Sequence, residues 1–290
     1  MAVYGKSRPK NMRESTDDAV SRVARIEQEV TVALNDSTSL NPLVDLIFRL
    51  SSTSDPLVAH KAIYALYRIF VLVISSGRLK GGKDQPDEVK AVRSWLSARF
   101  EEYIDLLCGY LKDDQEPLRT AALQVLMSLV KHLSVSKMGT RHMHELCLRK
   151  WVRALLICPA SKRAASSPDF GQGEGRVETD VRDSVGHHWL GAYDDIRLSF
   201  LRESTSLLRS DQSTASHPSV PQNLLSFLEL ISTMPPPPAM EQSGWTRKHP
   251  PKLNTILFAL KSPPAGCLFF LCFQRPLRYL LVHLPYCIVV

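Results

Sequence analysis

Through most of the chain up to position 233, apolar residues recur at three- and four-residue intervals, the period of a helix that buries one face. Ser15 or Thr16 can cap a first helix whose opening acids, Asp17 and Asp18, suit a helix N-terminus, and the pattern runs towards Leu34. A second helix follows Asn41-Pro42, with the proline in its first turn and Leu43, Leu46, Ile47 and Leu50 on its apolar face. A third begins at Asp55-Pro56 and places Ala59, Ala62, Ile63, Leu66, Phe70 and Val73 on one face, with Lys61, Tyr64 and Arg68 on another. Its end, Ile69 to Ile74, could pass for a buried strand, but nothing breaks the helix before Gly77.

A fourth helix carries Val92, Trp95, Leu96, Phe100, Tyr103, Ile104, Leu107, Cys108 and Leu111 on a stripe wide enough to need two neighbours. The fifth opens at Glu116-Pro117 and contains an internal echo. Shifted by 60 residues, Ala62-Ile63, Leu66 and Ile69 fall on Ala122-Leu123, Leu126 and Leu129. A sixth spans His142 to Leu156, and helical pattern returns at Tyr193 to Leu208 and at Leu224 to Ile231.

Consecutive helices on short connections, with an internal echo, predict an all-α fold: a HEAT/armadillo-like helical-repeat solenoid. Its expected parts are a basic arm (1–13), a helical-repeat domain (14–158), a flexible insertion rich in Gly, Ser, Asp and Arg (159–188) and further helices of the same solenoid (189–233). A Pro-rich linker (234–252) and a poorly folded apolar, basic tail (253–290) complete the division.

Charge sharpens this picture. The net +7 is not spread evenly: Lys6, Arg8, Lys10 and Arg13 face no acid before residue 14, and six bases but no acid follow Glu241. Between them lie 26 bases and 29 acids, so the helical body is slightly acidic, unlike a uniformly basic nucleic-acid-coating protein. The basic clusters, including Arg247, Lys248 and Lys252 beside Pro250-Pro251, suit phosphate backbones or an import signal, and equally suit ends that are merely soluble. No signal-peptide core opens the chain, so six cysteines imply no disulfide framework, and Cys108 and Cys147 read as small hydrophobes. Prolines at 263, 264, 276 and 285 argue against a membrane span in the apolar tail.

Candidate chemistry is sparse. Gly77-Arg78-Leu79-Lys80-Gly81-Gly82-Lys83-Asp84 matches a phosphate-binding loop except that Asp84 replaces the Mg²⁺-holding hydroxyl. An acid there repels a triphosphate, and Pro86 interrupts the following helix, so a solvated interhelical loop is the better reading. His142, His144 and Cys147 match no zinc framework and read as a surface His pair beside a buried Cys. The paired acids Glu101-Glu102, Asp113-Asp114 and Asp194-Asp195 read as solvent faces and helix-dipole partners. No nucleophile elbow or metalloprotease motif occurs, so no catalytic, cofactor or metal residue is assigned.

The run Asp55 to Arg68 (DPLVAHKAIYALYR), with Val92 to Leu96 (VRSWL) and Leu118 to Met127 (LRTAALQVLM), resembles the N-terminal half of the fungal nucleolar complex protein four family. These are ribosome-assembly factors with a CCAAT-binding-factor domain. Weaker similarity at Asp195–Leu201 and Asn223–Leu228 extends the resemblance over residues 40–235. It implies a non-catalytic scaffold in the nucleus and nucleolus, acting in small-subunit assembly and pre-rRNA maturation. The implied partners are a larger nucleolar assembly factor and the pre-ribosomal particle, with rRNA itself a further candidate, and no small-molecule substrate. Candidate partner residues are Lys6, Arg8, Lys10, Arg13, Lys61, Arg68, Arg247, Lys248 and Lys252. The family's C-terminal half should follow near residue 250 but is not recognisable there, as expected of a truncated gene model or a tail read through an intron. A general transport or trafficking adaptor on the same fold is the alternative, and a nucleotide enzyme built on Lys83 a remote one.

Overall fold

A computed structural model describes residues 15–80, 86–135, 141–158, 175–209 and 219–233. The described elements, in order, are α1 (Thr16–Asp36), α2 (Asn41–Ser52), α3 (Pro56–Ser75), α4 (Asp87–Tyr110), α5 (Glu116–Val135) and α6 (Arg141–Ile157), then α7 (Thr179–Val185), a π turn (Gly186–Leu190), α8 (Asp194–Arg209) and α9 (Ser219–Thr233). Local chemistry sets several of these boundaries. The Ser15 hydroxyl accepts from the Asp18 amide at 3.2 Å, and the Asp55 carboxylate accepts from the Leu57 and Val58 amides at 2.8 and 3.4 Å. Each satisfies amides that the first helical turn leaves without partners. Pro42 and Pro56 stand in first turns, where a missing N–H costs nothing.

The helices form two rows. α1, α3, α5 and α7 pack side by side in one, and α2, α4, α6 and α8 in the other. Helices consecutive in sequence, from α1 to α6, pack across the rows, and α9 closes the stack against α6 and α7. Each unit touches its neighbours and little else, the arrangement of an all-α solenoid.

α3 is the centre of this body. Ala62, Ile63, Leu66, Ile69, Phe70 and Val73 are fully buried, and Phe70 stacks on Tyr103 of α4 and meets Phe100 edge-on, with centroids 5.3 and 5.2 Å away. Tyr103 donates its buried hydroxyl to the Ile63 carbonyl at 2.7 Å, and Tyr110 donates to the Leu50 carbonyl at 2.8 Å. Among the described residues α3 is the one helix long and apolar enough to cross a membrane, with a mean hydropathy of 1.8. Most of its apolar surface is covered by α1, α2, α4 and α5, as befits a core helix, with Leu57 and Leu72 left exposed. The 60-residue echo is also spatial: α3 and α5 lie side by side, and the echoed residues of both helices are buried.

Two expectations need correction. Residues 179–188, assigned to the flexible insertion, form α7 and most of the π turn. Val181, Val185, Trp189 and Leu190 pack into the core, an apolar rhythm that the surrounding Gly, Ser and Asp obscured. Val92, assigned to the apolar face of α4, is half exposed, because burial along α4 begins only at Leu96. The linker and tail assigned to 234–290 lie outside the described residues, as does the basic arm.

One side chain organises the far end of the stack. Asn223 of α9 is buried, and its Nδ2 donates to the carbonyls of Leu156 and Gly175, both at 2.8 Å. Its Oδ1 accepts from the Val177 amide at 3.0 Å. Gly175 has φ of 66°, and a Cβ there would come within 2.6 Å of the Ser219 hydroxyl, so only glycine fits.

Candidate interaction surface

Of the predicted partner residues, Lys61 and Arg68 are described; Lys6, Arg8, Lys10, Arg13, Arg247, Lys248 and Lys252 lie outside the described residues. Both described residues sit on the outward face of α3, but they behave differently. Arg68 reaches across to α1 and holds Glu27 in a two-pronged ion pair, Nε to Oε1 at 2.6 Å and Nη2 to Oε2 at 2.7 Å. Donation of its hydrogen bond to Glu27 raises the Arg68 pKa above its ordinary value despite partial desolvation. Arg68 therefore ties the first two helices of its row together, a role the sequence reading missed. Lys61 is exposed and makes no ion pair among the described residues.

The seam between α3 and α5 carries most of the ring chemistry on this face. Tyr64 donates to the Gln124 side chain at 3.5 Å, and the Tyr67 hydroxyl lies 3.2 Å from His132 Nε2. The His60 and Tyr64 rings meet at 5.0 Å and those of Tyr67 and His132 at 6.1 Å, each pair tilted by more than 50°. A groove of about 390 Å³ opens between the N-terminal halves of the two helices, lined by His60, Tyr64, Glu116, Thr120 and Gln124. Partial burial, with Lys131 beside it, lowers the His132 pKa and so favours the neutral ring.

The opposite row presents an acidic groove of about 670 Å³ between α2 and α4, with Glu101, Glu102 and Asp105 in its wall. Each of these acids already has a cationic neighbour, with Lys150 shared between two of them. Lys150 of α6 donates to both Asp105 oxygens at 2.8 Å and approaches Glu101, while Arg99 lies 2.8 Å from Glu102. Among the described residues, exposed large apolar side chains lie on the first five helices, with Phe48 of α2 the most open at 66%.

The remaining candidates resolve into structure. α3 runs as helix to Ser75 ahead of Gly77, so the strand that a phosphate-binding loop requires is replaced by a helix. Cys108 and Cys147 are buried in apolar surroundings as expected, with burial raising both thiol pKa values, that of Cys147 to about 12. The surface His pair is half right. His142 is exposed, but His144 is 3% exposed, because its position on α6 turns it towards the core. Asp113 and Asp195 are likewise buried rather than solvent-facing. Asp113 accepts from the Gln115 amide at 3.0 Å ahead of α5, and Asp195 accepts from its neighbour Ile196 at 2.9 Å in the first turn of α8. No group of three or more His, Cys, Asp or Glu suited to a metal occurs among the described residues.

The family model for nucleolar complex protein 4-like TPR repeats matches residues 13–213. The chain belongs to this family. The match covers α1 to α8 and leaves α9 beyond it. It bears out the resemblance to the N-terminal half of nucleolar complex protein four. Within the nucleolar complex protein 4-like repeats of this chain, the odd-row helices begin at Thr16, Pro56 and Glu116, so the helical pairs recur without a fixed period. That irregularity is why self-comparison of the sequence yields one loose echo. No curated protein and no solved structure matches the chain.

Proposed function

We propose that the chain is a non-catalytic scaffold of small-ribosomal-subunit biogenesis in the nucleolus, holding protein partners within a pre-ribosomal particle during pre-rRNA maturation. The observation that carries this reading is the family match, which names a nucleolar complex and spans residues 13–213. The architecture agrees with it. Stacked helices bury their chemistry in packing and offer long outer faces, which suits a protein whose work is holding others. Its principal partner is a larger nucleolar assembly factor.

The test is to tag the chain, fractionate cells and sediment the nuclear extract. Nucleolar enrichment and co-sedimentation with small-subunit precursors support the proposal. Recovery with transport or coat factors in light fractions would instead identify a general helical-repeat adaptor.

A further inference from the structure

The seam between α3 and α5 is lined by rings that pack against the core yet stay partly exposed, Tyr64 and Tyr67 among them. His60, Tyr64 and Tyr67 follow one another at four and three residues, so their rings form a single stripe along α3, and His132 extends it from α5. A helix rises 1.5 Å per residue, so intervals of four and three residues set these positions about 4.5–6 Å apart along the axis. Lys61 and Lys131 are exposed on either side, and the groove beside Tyr64 presents the Gln124 amide and the Glu116 carboxylate.

We propose that this stripe binds single-stranded RNA, with bases stacked on Tyr64, Tyr67 and the imidazoles, and phosphates meeting Lys61 and Lys131. Base stacking on aromatic rings and Lys contact with phosphate are how single strands are held without a duplex groove. The choice of RNA over DNA rests on the nucleolar reading; the stacking argument does not. An acidic protein segment fits the face less well. Arg68, the best bidentate ligand for a carboxylate, is committed to Glu27, while Glu116 repels phosphates and carboxylates alike and does not separate the two. The same Glu116 can accept from a base amino group, and Gln124 can read a base edge. The neutral His132 ring suits stacking rather than charge pairing.

The test uses the full chain and a fluorescently labelled 12-nucleotide oligouridine, read by anisotropy across a salt series. Tyr64→Ala with Tyr67→Ala should weaken binding by about tenfold or more, since each stacked base contributes on the order of fivefold upward. Tyr64→Phe with Tyr67→Phe keeps both rings and should stay within about twofold of wild type, although it removes both seam hydrogen bonds. Lys61→Gln should weaken binding and flatten the salt dependence by about 0.7 in slope, the value for one phosphate contact on a single strand. Circular dichroism of each variant checks folding; should the double alanine variant unfold, Lys61→Gln decides alone.

Wild-type affinity in the double alanine variant, or an unchanged salt slope in Lys61→Gln, overturns the proposal. So does polyglutamate that displaces the RNA as well as unlabelled oligouridine does, an outcome that would assign the face to an acidic protein. Because binding is measured on isolated protein, failure here is separable from failure to sediment with precursors.

Discussion

Replacing Asn223 with alanine should detach the end of the stack while leaving its start folded. The side chain makes three hydrogen bonds, two of 2.8 Å to the Leu156 and Gly175 carbonyls and one of 3.0 Å from the Val177 amide. All three partners are backbone groups, and Asn223 itself is 2% exposed, so water cannot readily replace it. Each buried group left without a partner costs about 1–3 kcal/mol, so three would cost about 3–9 kcal/mol, and the part-buried Gly175 and Val177 groups place the expected loss towards the lower end. That is comparable with what holds one terminal helix in a nearest-neighbour stack, where α9 contributes Val220, Leu224, Phe227, Leu228 and Ile231 to the core. The expected result in hydrogen exchange is loss of protection across α9 and α7, with α3 amides exchanging as slowly as before. Asn223→Asp should be at least as damaging, since it aims a carboxylate at two carbonyl oxygens. If Asn223→Ala costs less than about 1 kcal/mol, or if α9 keeps wild-type protection, the reasoning from unsatisfied backbone groups is wrong.

Leu66→Ala, at a fully buried position on α3, should cost about 2–5 kcal/mol in denaturant melts, whereas Leu72→Ala on the exposed face of the same helix should fall within about 0.5 kcal/mol of wild type. Burial holds Cys147 and Cys158 as neutral thiols, with pKa values raised to about 12 and about 11 from an ordinary 9.0. Their stabilising effect is therefore complete below pH 9 and declines as pH rises towards 11–12, with Tyr103 shifting in the same sense; thermal midpoints measured from pH 8 upward should fall. Folded protein at pH 8 should also leave Cys108 and Cys147 unlabelled by iodoacetamide, and rapid labelling would contradict their burial. A double-mutant cycle on Arg68→Met and Glu27→Gln should give a coupling of about 0.5–1 kcal/mol that shrinks in high salt, because the pair is half exposed.

The helices were legible because their signals are local. Asp55-Pro56 announces a helix start by capping chemistry alone, and the spacing of Ala62, Leu66 and Ile69 identifies a buried face without a partner being known. α7 was not legible, since seven residues give less than two full periods and a Gly-rich setting suggests a loop. The burial of Asp113 and His144 was hidden for a different reason. Whether a polar side chain at a helix edge meets water depends on the neighbouring helix, and no single segment encodes that neighbour. The candidate surface shows the same division. Lys61 and Arg68 are exposed off the apolar face of α3 as expected, while Tyr64 packs partly against the core, and that Arg68 would spend its charge on Glu27 depends on how α1 lies against α3. The ring stripe required α5 as well, because His132 and Gln124 join it only through the pairing of the two helices.

The Asn223 anchor has a consequence for how this chain tolerates change in length. Leu156 and Gly175 are gripped by one amide group, and Cys158 donates its thiol hydrogen to the Arg176 carbonyl at 3.4 Å, so the two edges of residues 159–174 are fastened to each other and to α9. Side-chain chemistry thus joins Leu156 and Cys158 directly to Gly175 and Arg176, and both pairs to α9. An insertion between residues 158 and 175, whether a longer loop, a tag or a small passenger domain, should therefore leave these hydrogen bonds and the register of the described helices on either side unchanged.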